Sequence, residues 1–233
     1  IDVSSLSDGA ITASATLTDA ADNTSSAGTD ATPSIKDVVS PSAPAVTLLD
    51  PINNGNKTAV TITGTGEASD NFTYSVTDGV NAAVTGTGSV AGNGSISVSG
   101  INVSGLNEGT LTASITLTDA AGNSGSAGSD TATKDVTGPT LSTVSISSNN
   151  SNSNTLAKAG NIVTVSFISN ETIQTPTVTI AGNTASVSNT GGNNWKADYQ
   201  MANGDTSGTV LFTINFNDSV GNPGSEVSVT GDN

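Results

Sequence analysis

A block of sequence occurs twice at a spacing of 100 residues, and that interval limits what the chain can fold into. Residues 1–32 read IDVSSLSDGAITASATLTDAADNTSSAGTDAT and residues 101–132 read INVSGLNEGTLTASITLTDAAGNSGSAGSDTA, identical at 19 of 32 positions. After a two-residue insertion the match resumes: Lys36-Asp37-Val38 aligns with Lys134-Asp135-Val136, and Pro41 with Pro139. Solenoid units repeat every 20–50 residues or so, whereas roughly 100 residues make one β-sandwich. A chain of 233 residues then holds two such units and part of a third.

The residue pattern inside the repeat is that of strands. Leu111, Ala113, Ile115 and Leu117 alternate with Thr110, Thr112, Ser114, Thr116 and Thr118, the period-two signature of a half-buried antiparallel strand. Further strands are predicted at 60–63, 72–77, 83–89 and 95–99. The last third predicts seven more, at 144–147, 162–168, 177–180, 185–188, 195–201, 209–216 and 226–230. Clusters of Gly, Asn and Asp punctuate them, as turn chemistry requires. No helical period of useful length is present. The expected fold is all-β, tandem immunoglobulin-like β-sandwich domains arranged end to end. Residues 1–36 read as the C-terminal half of one repeat, 37–136 as a complete repeat with its N-terminal linker, and 137–233 as a complete repeat of a sister type. The Pro-bearing segments 37–44 and 134–140 read as short, stiff linkers. Half a sandwich cannot bury its sheet face. Residues 1–36 therefore imply either a longer array or another chain that completes the unit.

Composition narrows the function classes. Hydrophobic residues are 33% and aromatics 3%, so the cores must be small and aliphatic. Twenty acids against five bases give a formal charge of −15, which argues against nucleic acid and against anionic membrane surfaces. Cysteine is absent, which rules out disulfides and thiolate zinc sites. Histidine is absent too, and with it the usual base of a serine nucleophile. No apolar run is long enough to span a bilayer, so no membrane insertion is expected in this segment. An acidic, oxygen-rich chain suits calcium.

Residues 117–140, LTDAAGNSGSAGSDTATKDVTGPT, resemble the bacterial immunoglobulin-like repeats of large secreted adhesins and biofilm-associated surface proteins. The last third, with SNETIQTPTVTIAG and NDSVGN, resembles a sister type of the same class. The resemblance implies an extracellular, cell-surface, non-enzymatic role. It also implies a structural stalk or extender, with neighbouring repeats of the same protein as partners and calcium at the domain junctions.

Three turns share one frame: Asp19-Ala-Ala-Asp-Asn23, Asp119-Ala-Ala-Gly-Asn123 and Asp218-Ser-Val-Gly-Asn222. Each joins the last two strands of its unit, at the sandwich end that also receives the linker and the loop between the second and third strands. That placement predicts two clusters of oxygen ligands. One holds Asp135, Glu171, Asp218 and Asn222; the other holds Asp37, Glu67, Asp70, Asp119 and Asn123. Carboxylates so grouped repel one another without a cation and make a calcium shell with one. The competing reading is plain turn chemistry, since Asx side chains cap the backbone and Gly takes positive φ.

Other candidates are weaker. Gly86-Thr-Gly88-Ser-Val-Ala91 fits a dinucleotide fingerprint only on paper, because a strand follows it where a helix is required. Paired carboxylates for glycoside hydrolysis lack aromatic subsites. Trp195, Ala197, Tyr199 and Met201 share one strand face and read as core, met by Phe212, Ile214 and Phe216. The outward Thr rows resemble ice-binding hydroxyl arrays but are also ordinary exposed strand residues. Two alternative functions stand beside the stalk. One is a subunit of an extracellular filament of self-copies completed by strand exchange. The other is a non-catalytic accessory module of a secreted carbohydrate-active enzyme.

Overall fold

The computed structural model describes residues 1–228, and among them the chain is all-β. Two compact units emerge: Ile1–Leu49 with Ala59–Ala132, and Asp50–Thr58 with the chain from Thr133 onward.

The first unit opens with four short strands, β1 (Gly9–Ile11), β2 (Ser14–Ala15), β3 (Gly28–Thr29) and β4 (Ser34–Lys36). They pair as β1–β4 and β2–β3. Seven strands follow: β5 (Ala45–Leu48), β6 (Val60–Thr65), β7 (Asn71–Thr77), β8 (Val84–Ser89), β9 (Ser95–Ile101), β10 (Gly109–Thr118) and β11 (Gly128–Lys134). They form one sheet of order β5-β6-β9 and one of order β11-β10-β7-β8. The predicted alternation is realised in β10, where Leu111, Ala113, Ile115 and Leu117 are each 0% exposed. Against them lie Phe72 and Val76 of β7, in register with Leu117 and Ala113. Val60, Ile62, Leu48 and Ile96 are buried from the other sheet. Each such side chain contributes about 1.5–3 kcal/mol by leaving water, which is how a core almost without aromatics holds.

The second unit contains β12 (Leu141–Ser148), β13 (Ile162–Ser169), β14 (Thr177–Ile180), β15 (Asn183–Thr184), β16 (Ser186–Gly191), β17 (Asn194–Gln200) and β18 (Phe212–Asn215). Its sheets have the orders β12-β13-β17-β16 and β15-β14-β18. In both sandwiches the fourth strand pairs with the third, β8 with β7 and the short β15 with β14; the second adds β16, which pairs with β17 on the other sheet. Trp195, Ala197 and Met201 are buried with Phe167, Phe212, Ile214 and Phe216, and Tyr199 packs half-buried against them.

Some expectations shift. The predicted strand at 209–216 shortens to β18 (Phe212–Asn215), and before it the Asp205 carboxylate accepts from the Ala202 amide and the Tyr199 hydroxyl in a loop. Of the predicted 226–230 strand, Val227 bridges Ile214; residues 229 and 230 lie outside the described residues. Strands β5 and β11, and the two-residue β15, escaped the pattern reading. The strand β11 alternates Gly128, Asp130, Ala132 and Lys134 on its inner face with Ser129, Thr131 and Thr133 on its outer one, and carries no large apolar residue. The strand β5 follows directly on the Pro41–Pro44 segment, whose two prolines are themselves buried.

Candidate metal centre

The turn ending each unit is built by its own aspartate. Asp218 accepts at Oδ1 from the amides of Val220 and Asn222, 2.9 and 2.8 Å, and at Oδ2 from the Asn222 side-chain amide, 2.7 Å. The Asp218 amide donates to the Asn222 carbonyl, closing the loop. The Asp119 and Asp19 turns repeat these contacts with Asn123 and Asn23. The fourth residue sits at positive φ, +93° for Gly122 and Gly221. Asp22 takes the same place at +65°, a conformation that costs a residue with a Cβ.

What approaches the turns differs. In the second unit Asp218 is 0% and Asn222 1% exposed. The Asn222 Nδ2 also donates to the Asp135 carbonyl, 2.9 Å, which fixes the linker backbone against the turn. The loop 50–58 adds two bonds: the Asn54 amide donates to Asn222 Oδ1, 2.7 Å, and Asn53 Nδ2 to the Val220 carbonyl, 2.8 Å. The loop is anchored by a parallel bridge between Ile52 and Lys134. The result is a group of three carboxylates, Asp135, Glu171 and Asp218, whose oxygens lie within 4.8 Å of one another. Asn222 has both ends of its amide engaged and acts as the brace of the turn.

In the first unit the second predicted set lies toward one end of the sandwich, but among the described residues only Asp135, Glu171 and Asp218 bring three carboxylates within 4.8 Å of one another. Asn123 Nδ2 donates to the Asp37 carbonyl, 3.1 Å, and the Ser42 amide donates to Glu67 Oε1, 2.8 Å. Asp70 is 9% exposed, and its Oδ2 is buried with no hydrogen-bond partner. Burial raises the Asp70 carboxyl above its ordinary value, and the nearby charges of Glu67, Asp119 and Asp37 push it the same way. Asp119 moves in the opposite direction, lowered chiefly by the Asn123 side-chain amide that its carboxylate accepts. Asp19 is lowered by the same bond from Asn23. Five acids and amides thus surround one end of this sandwich, more openly than in the second unit: Glu67 is exposed and Asp37 half-exposed.

The donor chemistry fits a hard divalent cation. Calcium takes six to eight oxygens from carboxylates, carbonyls and water. Asp135, Glu171 and Asp218 supply one such set. Asp37, Glu67 and Asp119 lie near enough to Asp70 for their charges to act on it, without forming such a compact group. Sequence reasoning missed Asn54 and Ser42, whose backbone amides carry no side-chain signature, and Asn53, whose side chain reaches a residue far along the chain.

Comparison with solved structures places the fold. The chain is similar to a calcium-stabilised adhesin that helps an Antarctic bacterium reach out and bind ice, at a TM-score of 0.54 and 24% identity, over 95% of this chain and 56% of that one. The chain therefore spans little more than half of that structure's length. Looser likenesses are to a structure concerned with host cell-surface retention of a 1.5-MDa bacterial ice-binding adhesin (TM-score 0.48, 22% identity, 96% of this chain and 74% of that one). A tetra-tandem repeat from the extending region of a large adhesion protein follows (TM-score 0.35, 21% identity, 98% of this chain and 58% of that one). No protein-family model matches the chain, and no curated protein matches it. The shared fold is the tandem immunoglobulin-like sandwich of bacterial adhesin repeats.

Proposed function

We propose that the chain is a structural extender segment of a secreted bacterial surface adhesin, and that calcium held by its linker-borne and turn-borne acids stiffens it. The observation that carries this reading is the Asp135–Glu171–Asp218 group, in which a linker residue, an inter-strand loop residue and a turn residue bring oxygens within 4.8 Å. A cation there ties the linker to the sandwich. It also offsets the repulsion among carboxylates that costs the metal-free state. Asp37, Glu67, Asp70 and Asp119 form the corresponding site of the first unit, with Asn123 and Asn222 holding the two turns in shape. The role is mechanical and non-catalytic, exercised outside the cell with neighbouring repeats as partners. The net charge of −15 keeps such segments from self-associating.

Small-angle scattering in calcium and then in excess EGTA tests the reading. A profile that shortens and loosens when calcium is removed, together with a lower melting temperature, is expected. Superimposable profiles with an unchanged melting temperature would reduce the Asp turns to turn chemistry.

A further inference from the structure

The strand β8 is an edge of its sheet, and it has none of the guards that the other edges of the seven-strand sandwich carry. At the opposite edge β11 holds Asp130 and Lys134, and the Pro44 carbonyl lies over its Gly128. In the second sheet β5 has only four residues and follows Pro44, and the pairing of β9 with β6 shifts register between Val60 and Ile62. Charge, proline, shortness and bulges are the usual devices against edge-to-edge pairing. The six residues Val84–Ser89 show none of them, and their register with β7 runs without a shift. No charged residue occurs from Gly79 to Asn107, in a chain of net charge −15.

The ladder shows which backbone groups are open. The Val90 amide donates to the Asp70 carbonyl, 2.8 Å, in the register that continues through Gly88–Phe72 and Gly86–Tyr74. Bonded pairs alternate along an antiparallel ladder. Val84, Gly86 and Gly88 therefore turn their backbone groups toward β7, and Thr85, Thr87 and Ser89 turn theirs to the open edge. Among the described residues, no other segment bonds to the backbone of these three.

The inner face selects the strand that can join. A Cβ on Gly86 would lie 2.5 Å from the Tyr74 ring, and one on Gly88 would strike the Phe72 ring. Rings lying over the edge strand favour small residues on an incoming neighbour, and β8 itself supplies them. Antiparallel self-pairing centred on Thr87 sets Gly86 opposite Gly88 of a second copy and Thr85 opposite Ser89, while Thr87 meets Thr87. Thr–Thr and Thr–Ser are favourable cross-strand pairs, and in this register every outward amide and carbonyl of the three residues gains a partner.

We propose that β8 is a self-pairing edge through which two copies of this chain join antiparallel, continuing the four-stranded sheet across a two-fold axis. The contact is small and therefore weak, and the charge of −15 on each copy opposes it at low ionic strength. Salt that shortens the screening length from about 10 Å to about 3 Å removes that opposition. The uncharged edges are then free to pair, with no requirement for calcium or for the extender role.

The test is sedimentation velocity and amide exchange on the 233-residue chain in EGTA, at about 0.1 M and about 1 M sodium chloride. A dimer that grows with chain concentration is expected at high salt and not at low salt. Exchange at Thr85, Thr87 and Ser89 should slow about threefold or more with it. Thr87→Pro removes the central outward amide at an edge position that tolerates proline, and should abolish both effects while exchange in β10 stays unchanged. Thr87→Cys should give a disulfide-linked dimer on oxidation, because bonded antiparallel pairs lie about 5.5 Å apart between Cα atoms. Thr73→Cys, one strand further in, should not. A chain that stays monomeric at high salt overturns the proposal. So does a dimer that leaves the three amides unprotected, or cross-linking at Thr73→Cys as fast as at Thr87→Cys.

Discussion

The turns Asp119–Asn123 and Asp218–Asn222 have the same frame, the same internal hydrogen bonds and the same glycine at +93°. One lies half-exposed and the other is buried. The difference comes from residues outside the turn: Asn53 and Asn54 bond to the second, and no equivalent loop reaches the first among the described contacts. Local sequence therefore dictates the shape of an Asx turn, and the segments packed on it set its electrostatics. In the second unit the turn's aspartate becomes part of a compact carboxylate group. In the first unit the buried carboxylate oxygen of Asp70 has no hydrogen-bond partner.

The contrast can be broken most forcefully at Asp218. Asp218→Ala leaves the Val220 and Asn222 backbone amides without their side-chain acceptor and takes one of the two acceptors of the Asn222 side-chain amide, in a largely buried place. It should cost the second unit about 3 kcal/mol in urea unfolding. Asp119→Ala removes the matching bonds from a half-exposed turn, where water replaces them, and should cost clearly less. Equal losses at the two sites would mean that burial does not separate them.

Asp70→Asn sharpens the comparison from the other side. It removes a buried charge that Glu67, Asp119 and Asp37 repel, so the metal-free first unit should melt higher than the unchanged chain in EGTA. The gain should vanish or reverse in calcium, read by differential scanning calorimetry in both conditions.

The pH dependence should carry both signs within the first unit. Asp70, raised above 3.8 when folded, holds its proton more tightly than the unfolded chain does. Stability of the metal-free unit therefore falls as pH rises from 3.8 through the Asp70 midpoint. Asp119, lowered below 3.8, contributes stability that is present above 3.8 and lost as pH falls through its own midpoint. Carbon-detected NMR titration of the two carboxyls should place their midpoints on opposite sides of 3.8.

The smallest effect belongs to the third turn. Asp22→Gly relieves a positive φ on a residue with a Cβ and should stabilise that turn by about 0.5–1 kcal/mol. Amide exchange at Asn23 reports it.

Much of this was legible in the residues. The alternation in β10, the shared face of Trp195, Ala197 and Met201, and the ends at which Glu171 and Asp218 emerge follow from period-two geometry and sandwich connectivity. The Asp135–Glu171–Asp218 convergence was readable for the same reason, because each acid sits at a strand terminus whose position the topology determines. The strand β11 was not readable, since Gly128 and Ala132 line its inner face and lack bulk. Gly128 needs that smallness for the Pro44 carbonyl that crosses it. Nor could the loop 50–58 be anticipated, because the Asn54 amide acts through its backbone. The orphaned oxygen of Asp70 was hidden as well, since burial of a loop carboxylate depends on the packing of β7 and β8 around it.

The most direct measurement is isothermal titration of calcium into the metal-free chain and into its Asp218→Ala variant. The account predicts saturable binding to the chain, with heat from a high-affinity event that the variant loses while its first-unit sites persist. Identical isotherms for the two proteins, or none for either, would contradict it.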